Sequence, residues 1–303
     1  MSQFLEMLKP DFLLHHALYG SVVVGFVCPL VGVYFVLRRL VFWGVALPQV
    51  SAAGISFAFM LQGLGVAIMA GGESQEKHLA IVGSVIFTVA AILILTALEQ
   101  RSQGSAEGRV GTMYAIASAL TILFVAWNAS GETEMLSLLK GEIVSISETD
   151  FHAMLNVFGL IFACLFIFQK EFLLVSYDRD MAITLGRNTM VWDALLYLLI
   201  GLTISLGVMT VGPLVIFGFL VIPPMLALQW AGGMLSFSII ASIIGGMSAF
   251  AGFYLSYRLD LPLGPLIVSL LGAVLLASSA IRAAIGTLKH KKASRHERRA
   301  AAR

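Results

Sequence analysis

Residues 194–231 read ALLYLLIGLTISLGVMTVGPLVIFGFLVIPPMLALQWA, 38 positions without an Asp, Glu, Lys or Arg. A helix crosses a bilayer with about 20 mostly apolar residues, so this run is too long for one crossing. Val211-Gly212-Pro213 sits near its middle, and a Gly-Pro pair punctuates a helix. The expectation is two crossings joined at that turn, the second short and ending around Pro223-Pro224.

Similar charge-free runs lie on both sides, at 17–37, 40–70, 79–98, 110–127 and 151–168 before it and at 233–257 and 261–281 after it. The run at 40–70 is longer than one span needs and carries Gly44, Pro48 and Gly54. It reads as an irregular lead-in followed by a helix. The fold class is therefore all-α, a polytopic membrane helical bundle of about nine transmembrane helices, with eight as the alternative count. Composition agrees: 59% of the 303 residues are apolar, 12% are charged, and the mean hydropathy is +0.93. A soluble domain carries about 25% charged residues. A soluble enzyme, a nucleic-acid binder and a disordered scaffold are all excluded. Cys28 and Cys164 both sit in apolar runs and form no disulfide or zinc pattern. The opening MSQFLEMLKPDF has Glu6 and Asp11 and no basic n-region, so no cleavable signal peptide is expected.

Loop Lys and Arg set orientation. With the N-terminus outside and nine spans, the cytoplasmic side receives all of the 19 basic residues except Lys9, Lys77, Lys140 and Arg258. Eight crossings would move the tail KHKKASRHERRAAAR to the other side and spoil that split. No Asp, Glu, Lys or Arg stands mid-run; Asp193 and Arg282 lie at helix ends, and His152 opens a span. A proton-coupled carrier would place a titratable relay there. The spans are instead rich in small residues that let helices pack closely.

One loop, QKEFLLVSYDRDMAITLGRN (169–188), differs from the rest. Asp178 is placed to cap a short helix with Asp180 in its first turn, and Gly186 suits the position just past its end. Met181, Ala182 and Leu185 are spaced to share a helix face. Spacing alone leaves two readings, an interfacial helix on the headgroups or a docking helix for a cytoplasmic partner.

Asp178, Ala182 and Gly186 in SYDRDMAITLG resemble the coupling segment of the ABC-transporter permeases that import zinc, manganese and iron. VGPLVIFGFLVIPPMLA (211–227), SYRLDLPLGPLIV (256–268), LSLLKGEIVSISETD (136–150) and VGVYFVLRRLVFWGVAL (31–47) are similar to further segments of that family, in order over about 30–280. The resemblance implies one permease domain over 1–285, with its coupling segment at about 169–190, and a basic cytoplasmic tail over 286–303. It implies a multi-pass subunit of the inner membrane, paired with a second permease subunit, as a homodimer or with a similar chain. Partners would be cytoplasmic ABC ATPase subunits and an extracytoplasmic metal-binding protein. The cargo would be a divalent ion, zinc first, then manganese or iron. ATP would be used by the partner chain, with no cofactor bound here and no catalytic residue. Asp178, Met181, Ala182, Leu185 and Gly186 would couple to the ATPase. No Walker-type Gly-x-x-x-x-Gly-Lys-Ser/Thr occurs in this sequence.

The chain departs from the family at one place. After the arginine pair the family often reads G-D-A-L-S-H-A-x-x-P-G, whereas this chain reads GVALPQVSAAG (44–54). Val45 stands where the family has Asp, Gln49 where it has His, and Ala53 where it has Pro. Anionic oxygen and imidazole nitrogen are both lost to a metal. Pro48, Gln49 and Ser51 are the candidates for a weakly polar translocation path, and no residue is assigned as a metal ligand. A metal chelate or small organic cofactor is the alternative cargo. Other donors are scattered: His15 and His16, His78 after Glu73 and Glu76, His152, and an acidic stretch with Glu132, Glu134, Glu142, Glu148 and Asp150, which would draw cations to an external mouth or face a binding protein. An intramembrane hydrolase is the reading from another class. It needs a Gly-x-Ser-Gly and a mid-span His, and the sequence has neither.

Overall fold

The computed structural model describes residues 15–63, 73–100, 105–127 and 148–301, with side chains placed for 15–63, 78–98, 105–127 and 151–284. The described residues form helices joined by short turns. Helix α1 (His15–Leu37) runs through the middle and packs most closely on α10 (Met234–Leu259). It also meets α9 (Pro213–Trp230) and the bent pair α5 (Glu148–Ile167) and α6 (Gln169–Tyr177). Helix α2 (Trp43–Gly63) is the second hub. It holds α3 (Glu73–Gln100) and α4 (Ala106–Trp127) on one side and touches α8 (Thr189–Val211) and α9 on the other. The short α7 (Arg179–Thr184) follows α6, and α11 (Leu263–Ala301) closes the chain against α9 and α10.

Among the described residues, eight helices are each long and apolar enough to cross a membrane. Helices α5 and α6, bent by 67° at Phe168, supply a ninth if the pair is one span. The break in the 38-residue run falls at Gly212, which has φ +82°, with Pro213 opening α9. There the fixed φ of proline suits the first helical position.

Two expectations need correction. Helix α9 does not end at Pro223-Pro224 but continues to Trp230, and α2 is helical from Trp43 straight through Pro48. A proline inside a helix frees the carbonyl four residues back. In a tightly packed bundle that carbonyl can be placed against a neighbour. The Leu220 carbonyl, freed by Pro224, abuts Gly32 of α1, and the Gly25 carbonyl, freed by Pro29, abuts Gly245 of α10. A side chain at either glycine would collide with the facing carbonyl oxygen. Proline therefore works in these helices as part of the packing.

Helices α2 and α3 approach just as closely. A Cβ on Gly54 would stand 2.5 Å from the Gly83 carbonyl oxygen, and one on Gly83 would stand 2.6 Å from that of Gly54. Polar glue accompanies the contact. The Ser51 and Ser84 hydroxyls are 2.7 Å apart, fully buried, and Ser205 Oγ of α8 donates to Thr88 Oγ1 of α3 at 3.3 Å. Apolar side chains cover the outside of α3 and α4, where Leu93 and Ile122 are among the most exposed.

Candidate functional site

Two features stand out on this frame, the corner around α7 and a half-buried face of α2. At the corner, Asp178 ends α6 and starts α7. Its Oδ1 accepts from the Met181 backbone N–H at 2.9 Å, an N-cap bond. The other end closes as a Schellman turn. The Gly186 N–H donates to the Ile183 carbonyl (2.9 Å) and the Arg187 N–H to the Ala182 carbonyl (3.0 Å), with Gly186 at φ +70°. Six residues are too few for a stable free helix. The two caps and the contact beneath hold it.

That contact is Ala182, fully buried, the only α7 residue that is. Met181 and Leu185, four apart, point the other way and are 51% and 58% exposed. The three residues expected on one face are thus divided: Ala182 seats the helix, while Met181 and Leu185 are presented outward. Ile183 and Tyr177 are also exposed. Sequence spacing missed these two, because six residues make less than two helical turns and the loop's exposure shows only in three dimensions.

Beneath α7 lies an ion-pair network whose members stand far apart in the sequence. Arg38, at the end of α1, donates Nη1 to Asp193 Oδ1 of α8 at 2.7 Å and Nε to Ser176 Oγ of α6 at 2.9 Å. Its guanidinium lies 5.5 Å from the Tyr197 ring centre, in cation–π range. Asp193 Oδ2 takes Arg179 Nη2 of α7 at 3.3 Å. Arg187 reaches Glu171 at 3.9 Å. Trp43, which opens α2, stacks on the same Tyr197 at 5.8 Å. The signal available in the sequence was a lone Asp at a span end opposite an arginine pair.

The α2 face starts at this corner. Val45 and Gln49, four apart, are half-buried, whereas Pro48, Ser51 and Ala53 are buried in the packed sides of the helix. The Ser51 hydroxyl is bonded to Ser84, as above. Among the described residues no three His, Cys, Asp or Glu side chains gather where they could share a metal ion. The His15 and His16 rings lie tilted against each other with centres 3.8 Å apart, and His16 packs against Phe151 at 5.1 Å. Residues 131–147 of the acidic stretch, and the side chains of Glu73, Glu76, Glu148 and Asp150, lie outside the described residues.

The chain belongs to the ABC 3 transport family, whose model matches residues 11–282. The manganese transport system membrane protein MntC of Listeria innocua is 27% identical over 265 residues, covering 88% of this chain and 89% of that one. The zinc transport system membrane protein TroC of Treponema pallidum is 23% identical over 279 residues, covering 90% of each. Among solved structures, PsaBC from Streptococcus pneumoniae in complex with Fab has the same fold, with a TM-score of 0.78 at 24% identity, covering 91% of this chain and 94% of that one.

Proposed function

We propose that this chain is the membrane-spanning permease subunit of an ATP-driven ABC importer whose cargo is a divalent metal ion: zinc, manganese or iron. The observation that carries the reading is the α7 corner. It is a doubly capped helix seated on the bundle by Ala182 and presenting Met181, Ile183 and Leu185 outward, where a soluble partner can cover them. The manganese and zinc systems named for the relatives support the cargo class. In this reading the N-terminus is outside and the C-terminus is cytoplasmic, which puts α7 and the tail on the side of the ATPase in the inner membrane. Residues 1–285 are the permease domain and 286–303 a basic tail.

Two copies of the chain, two cytoplasmic ATPase subunits and an extracytoplasmic metal-binding protein make up the transporter. ATP hydrolysis belongs to the partner chain. Closure of the ATPases moves α7, and the bundle rocks in response. The cargo passes along the half-buried side of α2 that carries Val45 and Gln49. Pro48 and Ser51 contribute by holding that helix in place.

A second reading keeps the permease and changes the cargo to a metal chelate or small organic cofactor. It is favoured by one observation, the uncharged pair Val45 and Gln49 on that face. One experiment separates the two. The complex is reconstituted in vesicles with the ATPase and the binding protein, and uptake is followed over a panel of free divalent cations. ATP-dependent uptake of zinc, manganese or iron is expected. ATP hydrolysis with no divalent ion moved would overturn the metal reading.

A further inference from the structure

We propose that Arg38, acting through Asp193, is a positioning residue that ties α7 to the α1–α2 corner, so that the two move as one piece. The inference rests on the permease reading for its purpose, while the tie itself is a matter of geometry. Helix α7 has one buried residue, and the charged contact just beyond its end, Arg187 with Glu171, is long and partly exposed. Exposed pairs of that kind hold little.

The inner contact is different. Arg38 and Asp193 are only 11% and 13% exposed on their side chains and meet at 2.7 Å. Charge-assisted bonds in such a setting are the strong ones, and removing one partner leaves the other charged and largely buried. Asp193 divides its two oxygens between Arg38 of α1 and Arg179 of α7; the Arg179 side chain is 63% exposed and its contact is 3.3 Å, so the α7 end of the tie depends on a carboxylate already anchored by Arg38. Arg38 divides its donors between Asp193 of α8 and Ser176 of α6, with Tyr197 beneath the guanidinium. Tyr197 in turn stacks with Trp43 at the start of α2. One guanidinium and one carboxylate therefore connect five helices at one end of the bundle.

The third guanidinium nitrogen is unspent: Arg38 Nη2 is buried without a hydrogen-bond partner among the described residues. A second arrangement of the corner has a donor waiting for it. The neighbouring Arg39 provides the internal control. It is exposed, with φ +57°, and serves as ordinary positive charge at a membrane edge. If both arginines merely anchored the loop, they would be interchangeable.

The test has two arms, using the full chain. In the first, spin labels are placed at Phe42→Cys and Ile183→Cys, both exposed positions, with Cys28→Ala and Cys164→Ala, in the solubilised permease alone. Asp193→Asn and Arg38→Gln should broaden the label-to-label distance distribution, and Arg39→Gln should leave it unchanged. In the second, unlabelled variants are assembled with the ATPase and the binding protein. Arg38→Gln and Asp193→Asn should still co-purify with the ATPase and hydrolyse ATP. Cargo moved per ATP should fall roughly tenfold, the range over which single substitutions alter coupling, with partial recovery in Arg38→Lys. An unchanged distribution in the isosteric Asp193→Asn overturns the tie, whatever the cargo. Wild-type cargo per ATP in both variants overturns its role in coupling. A wild-type complex that moves no cargo overturns the permease reading instead, and the first arm still decides the tie.

Discussion

The α7 corner and the Val45–Gln49 face of α2 begin within a few residues of each other and are built in opposite ways. The corner is dense in charge, with Arg38, Asp193 and Arg179 in sequence and both ends of α7 capped. The face has no ionisable side chain at Val45 or Gln49, the two positions where the family resemblance leads one to look for ligands. Fixed, directional contacts suit a part that must transmit a displacement. A weakly polar surface suits a part past which a cation must slide, since conduction requires binding weak enough to release. On this account, selection of the cargo is left to the extracytoplasmic binding protein and movement to the corner.

The contrast assumes that the packed sides of α2 are immovable and only the Val45–Gln49 side is free. Gly54→Leu should break that assumption most severely. It drives a side chain into the Gly83 backbone, which cannot yield as a flexible side chain could, and should cost about 3 kcal/mol or more. Loss of the monodisperse peak on size exclusion is the readout. Gly159→Leu on α5, where nothing lies within 4 Å, should behave as wild type.

Next in size is Leu185→Asp at the corner. The residue is exposed in the free chain, so insertion and thermal stability should be unaffected. In a complex it would put an unpaired carboxylate into an apolar contact, at a cost of several kcal/mol. Pull-down of the ATPase should fail; normal association with full transport would remove α7 from the docking surface.

The double variant Val45→Asp with Gln49→His sharpens the other half of the comparison. An acidic oxygen and an imidazole four apart on one helix face would give the passage the ligands it lacks. Uptake of zinc or manganese should slow, with metal retained on the washed protein. If the cargo is a chelate or an organic cofactor, the same change should impair uptake without any retained metal. The smallest effect is expected from Ser51→Ala. It leaves Ser84 with an unpaired buried hydroxyl and should lower stability by about 1 kcal/mol, measured by thermal unfolding in detergent, with transport close to normal.

Much of the architecture was legible because lipid forces the pattern. The Gly212-Pro213 break, the caps of α7 at Asp178 and Gly186, and the eight charge-free runs all follow from local rules. What local rules misjudged was proline. Pro48, Pro223 and Pro224 are read as breaks in isolation, but partners such as Gly32, which receives the Leu220 carbonyl, are far away in sequence. The division of Met181, Ala182 and Leu185 between outside and inside, and the bond between Arg38 and Asp193, likewise depend on which helices become neighbours. No periodicity in one strand of sequence encodes that.

The central contrast is tested most directly by counting metal on the wild-type protein. Equilibrium dialysis of the solubilised permease against zinc or manganese, beside Gln49→Ala, measures whether the α2 face holds a cation at rest. The account predicts far less than one ion per chain and no difference between the two proteins. One ion per chain on the wild type, lost in Gln49→Ala, would contradict it and make this face a metal site.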